Sequence, residues 1–178
     1  MNLMISLLYA PIIFYSLKNF EVTSVALILG IFSLLWFIVS IKINFKESIF
    51  PLFYLGVSFF AYFLNNVLLL KLLPLFISLF ITLFILYGYL TKNSFIFIFL
   101  KRFKKTVEDD EKNYIQKSTL FWFFVGVLNV FIHTYIVASN NMLYWTIYSS
   151  VGWYFLFMTA GLLQFIHKYF CLKKSPYV

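Results

Sequence analysis

The sequence predicts an all-α, polytopic bundle of about six transmembrane helices with both termini in the cytoplasm. Two features of the composition carry the prediction of a membrane protein: 63% of the 178 residues are hydrophobic, and only 11% are charged. A soluble domain has about 45–50% apolar and about 25% charged residues, and a chain of this length has too much surface for its volume to bury the excess. The apolar runs are continuous, whereas the strands of a membrane β-barrel would alternate.

Six apolar runs are candidates for spanning helices, each of which needs about 20 largely apolar residues. The predicted spans cover about residues 3–17, 22–41, 49–64, 67–90, 118–138 and 142–166, within one transmembrane domain of residues 1–178. The first run has no preceding cation and no small-residue cleavage site after it, so we interpret it as a span rather than a signal peptide.

The division between the third and fourth spans depends on three polar residues. Asn65 and Asn66 favour a turn. Lys71 is expected at the end of a span, where its stem can snorkel towards water. Two full spans and a re-entrant hairpin over residues 49–90 both fit this pattern.

The distribution of basic residues predicts the orientation. If the connections alternate between the two sides of the membrane, one side holds twelve of the fourteen Lys and Arg residues. These are Lys42, Lys46, Lys92, Lys101, Arg102, Lys104, Lys105, Lys112, Lys117, Lys168, Lys173 and Lys174. The other side holds only Lys18 and Lys71. Because basic residues concentrate on the cytoplasmic side, we expect a multi-pass protein of the bacterial inner membrane with both termini in the cytoplasm.

The segment 91–117 is the one sizeable water-exposed connection, and it carries a basic cluster. The cluster consists of Lys101, Arg102, Lys104 and Lys105. It can attract anionic lipid head groups at about 1 kcal/mol per cation, and an orientation signal without a ligand is the simpler interpretation. Thr106 and Asp109 have capping-box spacing, which predicts a helix from about residue 107 that runs into the fifth span. Acidic residues follow the cluster closely, so nucleic acid is not an expected partner.

Polar residues inside the predicted spans are the candidate functional residues, because polar groups in lipid are costly and need partners. Asn129 and His133 lie on one helical face of the fifth span, together with Trp122 and Gly126. Gln164 lies on the sixth span. Bonding between helices is the simpler role for these side chains. A ligand or proton site around Asn129 and His133 is the alternative.

The short connection between the fifth and sixth spans predicts that they are antiparallel neighbours. This pairing would bring His133 near Tyr148 and Asn129 level with Ser150. On the second span, Ala26 and Gly30 have the spacing of a close packing face.

Catalytic, metal and cofactor sites are not predicted. The chain has one cysteine and two histidines, too few for a multi-cysteine metal site. No phosphate-binding glycine loop, zinc-protease motif or nucleophile elbow occurs. The six acidic residues avoid the deep apolar runs, which argues against a pump built on buried carboxylates.

Two families of small bacterial inner-membrane proteins resemble this sequence. The run Pro11-Ile-Ile-Phe-Tyr followed by Lys18, then Trp122, Asn129 and Gly161, resembles the intracellular septation protein A family. This resemblance implies a role in envelope maintenance and division through other membrane proteins, without known chemistry.

The second half of the chain resembles an uncharacterised membrane family found near genes for the synthesis of lipid-like polyenes. The matching elements are Leu73-Pro74-Leu-Phe-Ile-Ser, Tyr114-x-x-Lys117-x-Thr119-x-x-Trp122, Asn129 and Tyr144-Trp-Thr-Ile-Tyr148.

The expected function is therefore that of a non-enzymatic inner-membrane protein that supports envelope synthesis, cell division or septation through helix–helix contacts. Its expected partners are membrane lipids and other inner-membrane proteins, with self-association into a homo-oligomer also open. A small transporter or lipid-handling protein, with a cavity between the fifth and sixth spans, is the alternative. A membrane enzyme would need clustered acids or histidines near the interface, which the sequence lacks.

Overall fold

The computed structural model describes residues 2–43, 45–94, 97–98 and 109–172, and the elements assigned within them are all helical. The helices are α1 (Asn2–Asn19), α2 (Val22–Ile43), α3 (Ile49–Leu64), α4 (Val67–Leu90), α5 (Asp109–Ala138), α6 (Met142–Ile147) and α7 (Trp153–Leu172). A short 3₁₀ helix, Phe45–Ser48, precedes α3, and a π-helical turn, Tyr148–Gly152, joins α6 to α7. The predicted all-helical fold class is confirmed.

Asparagines end and begin the helices at two of the connections. Asn65 follows α3 in the left-handed conformation, with φ 45°, and the side chain of Asn66 accepts a bond from a backbone N–H at the start of α4. Asn140 also has a positive φ, 54°. Asn141 caps α6 by accepting bonds from two backbone N–H groups. Asn tolerates positive φ and caps helices well, which explains why the predicted breaks fall here.

The lengths of the helices fit a bilayer. Four segments in the described residues are long and apolar enough to cross a membrane: Val22–Ile43, Val67–Leu90, Lys112–Ala138 and Met142–His167. The apolar helix α3 has 16 residues, which makes it about 24 Å long against a hydrocarbon core of about 30 Å. The chain is thus a membrane protein, while six spans with cytoplasmic termini stay a prediction.

Among the described side chains, many large apolar groups are exposed and several polar groups are buried. Large apolar residues are exposed along α2, α4, α5 and α7, including Phe32 at 67% and Phe131 at 69%. Buried polar side chains include Lys71, Asn129 and His133. Since a soluble protein hides its large apolar groups, this arrangement indicates that hydrocarbon is the solvent.

The packing divides the chain into two compact units. The first unit comprises Met1–Phe76 and His133–Ser150, and the second comprises Ile77–Ile132 and Val151–Val178. In the first unit α2 packs along α3, and a Cβ placed on Gly30 would lie 3.5 Å from the Cβ of Ser58. The small-residue packing face predicted for α2 is therefore confirmed.

The helix predicted to run into the fifth span is confirmed from Asp109 onwards, where α5 begins. Thr106 and the basic cluster of Lys101, Arg102, Lys104 and Lys105 lie outside the described residues.

Candidate functional site: polar side chains between helices

In the first unit a tyrosine of α1 bonds to the backbone of α4. Pro74 lies inside α4 and has no N–H to donate to the carbonyl four residues earlier, that of Leu70. The hydroxyl of Tyr9 donates to this carbonyl oxygen at 2.9 Å. Tyr9 and Leu70 are both buried, so the bond satisfies a backbone carbonyl that would otherwise be buried without a donor.

The next carbonyl of α4 also accepts a bond from a side chain. The indole Nε1 of Trp145 donates to the carbonyl oxygen of Lys71 at 3.0 Å, and Trp145 is completely buried. A proline ring disturbs the helical hydrogen bonds of the turn before it. Pro74 thus makes this turn of α4 an acceptor for a tyrosine of α1 and a tryptophan of α6.

The side chain of Lys71 turns into the protein. Its Nζ donates to the carbonyl oxygen of Val137 at 3.3 Å, and the residue is only 4% exposed. Val137 lies in the last turn of α5, where carbonyl groups lack helical partners and the helix dipole is negative. The expected position near the start of α4 is correct, but the expected snorkelling to water is wrong, because the end of a neighbouring helix offers the ammonium an acceptor.

His133 packs against Tyr148 in the first unit, as predicted. The two ring centroids are 4.7 Å apart in an edge-on arrangement, and His133 is 2% exposed. Tyr148 begins the π-helical turn, where Ser150 donates to the carbonyl oxygen of Thr146 at 2.7 Å. This pair joins the end of α5 to the start of the π turn.

In the second unit a polar seam joins α4 to α5. Asn129 Nδ2 donates to the Ser78 hydroxyl at 2.6 Å. One turn along α4, a Cβ placed on Gly126 would lie 2.6 Å from Thr82 Oγ1. The glycine therefore lets the two backbones approach closely enough for the amide–hydroxyl bond to form. The expectation that Asn129 lies level with Ser150 stays a prediction.

The second unit also contains a seam between α5 and α7. Gln164 donates to the hydroxyl of Ser118, and the rings of Trp122 and Phe157 stack with centroids 5.9 Å apart. A Cβ placed on Gly161 would lie 3.8 Å from the Trp122 ring. The partner on α7 moves back along the chain as the residue on α5 advances, so these helices are antiparallel, as predicted.

The candidate residues thus serve different helix pairs. Asn129 bonds to α4, while Gln164 bonds to α5. Trp122, Gly126 and Asn129 were predicted to share one face, and the structure divides them between two partner helices. Within the described residues, no group of three or more His, Cys, Asp or Glu side chains could hold a metal ion.

Sequence reasoning missed Tyr9, Trp145, Ser78 and Thr82. For Tyr9 a signal was present, because a proline inside a spanning helix leaves the carbonyl four residues earlier unpaired, and another group has to satisfy it. No such signal pointed to the bond between Trp145 and the Lys71 carbonyl. For the two residues of α4, no signal in the sequence says which helix they face.

Comparison of the chain with known proteins gives no relative from which to transfer a role. No family model matches it, and neither a curated protein nor a solved structure does.

Proposed function

We propose that this chain is a multi-pass protein of the bacterial inner membrane, without catalytic chemistry, that supports envelope synthesis or cell division through contacts with other membrane proteins. One observation carries the proposal: the intramembrane amides and the buried lysine bond to other helices of the same chain. Asn129 bonds to Ser78, Gln164 to Ser118, and Lys71 to the backbone of α5.

Side chains that bind the chain together are poor candidates for substrate chemistry. A catalytic or transport site would need polar groups directed into a shared cavity, whereas these groups take partners on different helices. What they leave for interaction is the apolar outer surface of the helices, which carries Phe124, Phe131 and Phe155 among its exposed side chains. Such a surface suits van der Waals packing against other transmembrane helices.

The proposal can be tested by photocrosslinking in living cells. A photoreactive phenylalanine analogue at Phe124, Phe131 or Phe155 should capture membrane proteins of envelope synthesis or division. The same analogue at Leu73, which is 0% exposed, is the matched control and should capture none. If the captured proteins from all three exposed positions lack any member of those two groups, the proposed function is wrong.

Affinity purification from native membranes gives a second measurement. The same partners should be recovered with the natural chain. They should be lost with the variant Phe131→Ser, which replaces an exposed ring by a small polar group and carries no crosslinker. A change of the buried amide Asn129→Ser should retain them, provided that the variant still elutes as a single species in detergent.

A further inference from the structure

An elongated groove runs between α1 and α2 in the first unit. It has a volume of about 630 Å³. Its walls include Ile12 and Ser16 of α1, Phe20 just after that helix, and Ile28 and Phe32 of α2. This volume is in the range of ordinary small-molecule sites, about 300–1,000 Å³.

The interior of the groove is suited to hydrocarbon. Tyr9 and Trp36 both line it, and each ring packs edge-on against the ring of Tyr54, with centroids 5.4 and 5.8 Å apart. The hydroxyl of Tyr9 is bonded to the backbone of α4, and that of Ser33 is bonded to its own helix. With those hydroxyls engaged, the groove presents mainly aliphatic and aromatic surface to its occupant.

The length of the groove matches one leaflet of a bilayer. Its lining runs from Leu8 of α1 to Phe20, which follows the helix and still donates its N–H to the Ser16 carbonyl. That distance is about 18 Å at 1.5 Å per residue. Half of a hydrocarbon core of about 30 Å is about 15 Å. A single acyl chain that enters from the helix ends would therefore lie along the whole groove.

An exposed acidic residue lies beside one end of the groove. Phe20 and Val25 line the groove on either side of the α1–α2 turn, and Glu21 is in that turn, exposed. Lys18 lies about 200° around α1 from Ser16 and Phe20, and its Nζ sits 4.4 Å from the centroid of the Phe14 ring. Glu21 is thus the charged residue next to this end of the groove, and its carboxylate would complement an ammonium and repel an anionic head group.

We propose that this groove holds one acyl chain of a phospholipid whose head group carries a primary ammonium, with the head group beside Glu21. The occupant is phosphatidylethanolamine, because its ammonium can donate hydrogen bonds to the carboxylate. Phosphatidylcholine has no such donor, and phosphatidylglycerol has a net negative charge.

Trp36 reports directly on the occupant, since it lines the groove. The full chain is reconstituted in unbrominated phosphatidylcholine vesicles that contain, at one low and equal mole fraction, phosphatidylethanolamine, phosphatidylglycerol or phosphatidylcholine with brominated acyl chains. Bromine quenches tryptophan fluorescence at contact, and the difference between the natural chain and Trp36→Phe isolates the signal of Trp36. We expect quenching of that signal by brominated phosphatidylethanolamine to exceed quenching by brominated phosphatidylglycerol about two- to fivefold, the range that an exposed ion pair gives.

Matched variants distinguish quenching by a lipid in the groove from quenching by the surrounding bulk lipid. Ser33→Phe and Ile28→Phe place a ring in the groove and should reduce the quenching by phosphatidylethanolamine to that of phosphatidylcholine. Leu35→Phe adds the same ring at an exposed position of α2 outside the groove lining and should leave it unchanged. Glu21→Gln should abolish the preference between head groups, whereas Lys18→Gln should keep it.

Equal quenching by the three lipids in the natural chain would mean that only bulk lipid reaches Trp36, and it would overturn the proposal. A preference for phosphatidylglycerol would overturn it as well. A preference that survives both Ser33→Phe and Ile28→Phe would place the lipid elsewhere and reject the groove.

Discussion

The Tyr9 hydroxyl donates a hydrogen bond of 2.9 Å to the backbone carbonyl oxygen of Leu70. That carbonyl is the one that Pro74 leaves without a helical donor, because proline has no N–H. A side chain of α1 thus completes the hydrogen bonding of α4. In water such a carbonyl could bind solvent. In a membrane no water is available, so a proline at position 74 requires a donor such as the Tyr9 hydroxyl.

We expect Tyr9→Phe to lower the free energy of unfolding by about 1–3 kcal/mol, the cost of leaving a buried acceptor unsatisfied. The measurement is reversible unfolding in detergent micelles. In a Pro74→Ala background residue 74 regains its N–H and can bond to Leu70, so the same tyrosine change should cost clearly less. An equal cost in both backgrounds would show that packing of the ring, not the bond to the carbonyl, matters.

The next prediction concerns whether replacing Lys71 raises or lowers the free energy of unfolding. Burial of an ammonium costs several kcal/mol, and its visible compensation is one bond of 3.3 Å to Val137 together with a helix-dipole contribution of up to about 2 kcal/mol. We therefore expect Lys71→Met to leave stability unchanged or to raise it slightly. Lys71→Glu should lower stability by more than about 3 kcal/mol, because a carboxylate would face the negative end of α5.

The same unfolding assay checks both variants. A loss of more than about 2 kcal/mol in Lys71→Met would show that the bond to Val137 outweighs desolvation. Lys71→Arg is the control that retains charge but increases size.

Gly126 should not tolerate a methyl group. A Cβ there would lie 2.6 Å from Thr82 Oγ1, 3.1 Å from its Cγ2 and 3.2 Å from its Cβ, so α4 and α5 would have to separate. We expect Gly126→Ala to lower the free energy of unfolding by about 1–3 kcal/mol, as overpacking does. Thr82→Ala should recover part of this loss, since it removes two of the three close atoms.

Gly56→Ala is the matched control, because nothing lies within 4 Å of its Cβ position. It should be neutral or slightly stabilising, since alanine favours a helix by about 1 kcal/mol over glycine. Equal destabilisation by the two changes would contradict the close approach at Thr82.

The bond between Asn129 and Ser78 can be measured by a double-mutant cycle with Asn129→Ala and Ser78→Ala. Hydrogen bonds between membrane helices contribute about 0.6 kcal/mol on average and up to about 1.7 kcal/mol. We expect a coupling energy in this range. A coupling energy near zero, with both single variants as stable as the natural chain, would remove the bonding role and favour the ligand site around Asn129 and His133.

The helix ends at the asparagine turns were predictable because they depend on local residues, whereas the π-helical turn Tyr148–Gly152 inside the predicted sixth span was not predicted. The break between residues 64 and 67 follows from Asn65 and Asn66, and Asn65 indeed adopts a positive φ. The partners of the polar side chains were less predictable. Helical periodicity placed Trp122 and Asn129 on one face of α5, yet that face is wide enough to contact two helices. Which helix packs on each side of α5 depends on residues far apart in the sequence.

The partner of Lys71 was also not predictable from local residues. A cost for Lys71 in lipid was expected, and snorkelling was the local solution that the sequence offered. In the structure the Lys71 ammonium instead bonds to an acceptor far away in the sequence, the carbonyl of Val137 at the end of α5. No local sequence pattern predicts this contact.

The orientation rests on the imbalance of basic residues and can be tested by cysteine labelling. In a Cys171→Ser background, Asn65→Cys and Asn140→Cys each place a thiol at an exposed turn on the side that holds Lys18 and Lys71. Asn93→Cys places one in an exposed connection on the side that holds the other twelve cations. Because cations concentrate on the cytoplasmic side, a membrane-impermeant maleimide should label residues 65 and 140 in intact cells and should reach residue 93 only after permeabilisation. Labelling of residue 93 in intact cells, with residues 65 and 140 protected, would reverse the orientation. Equal labelling of residues 65 and 93 in intact cells would show that residues 67–90 do not cross the membrane.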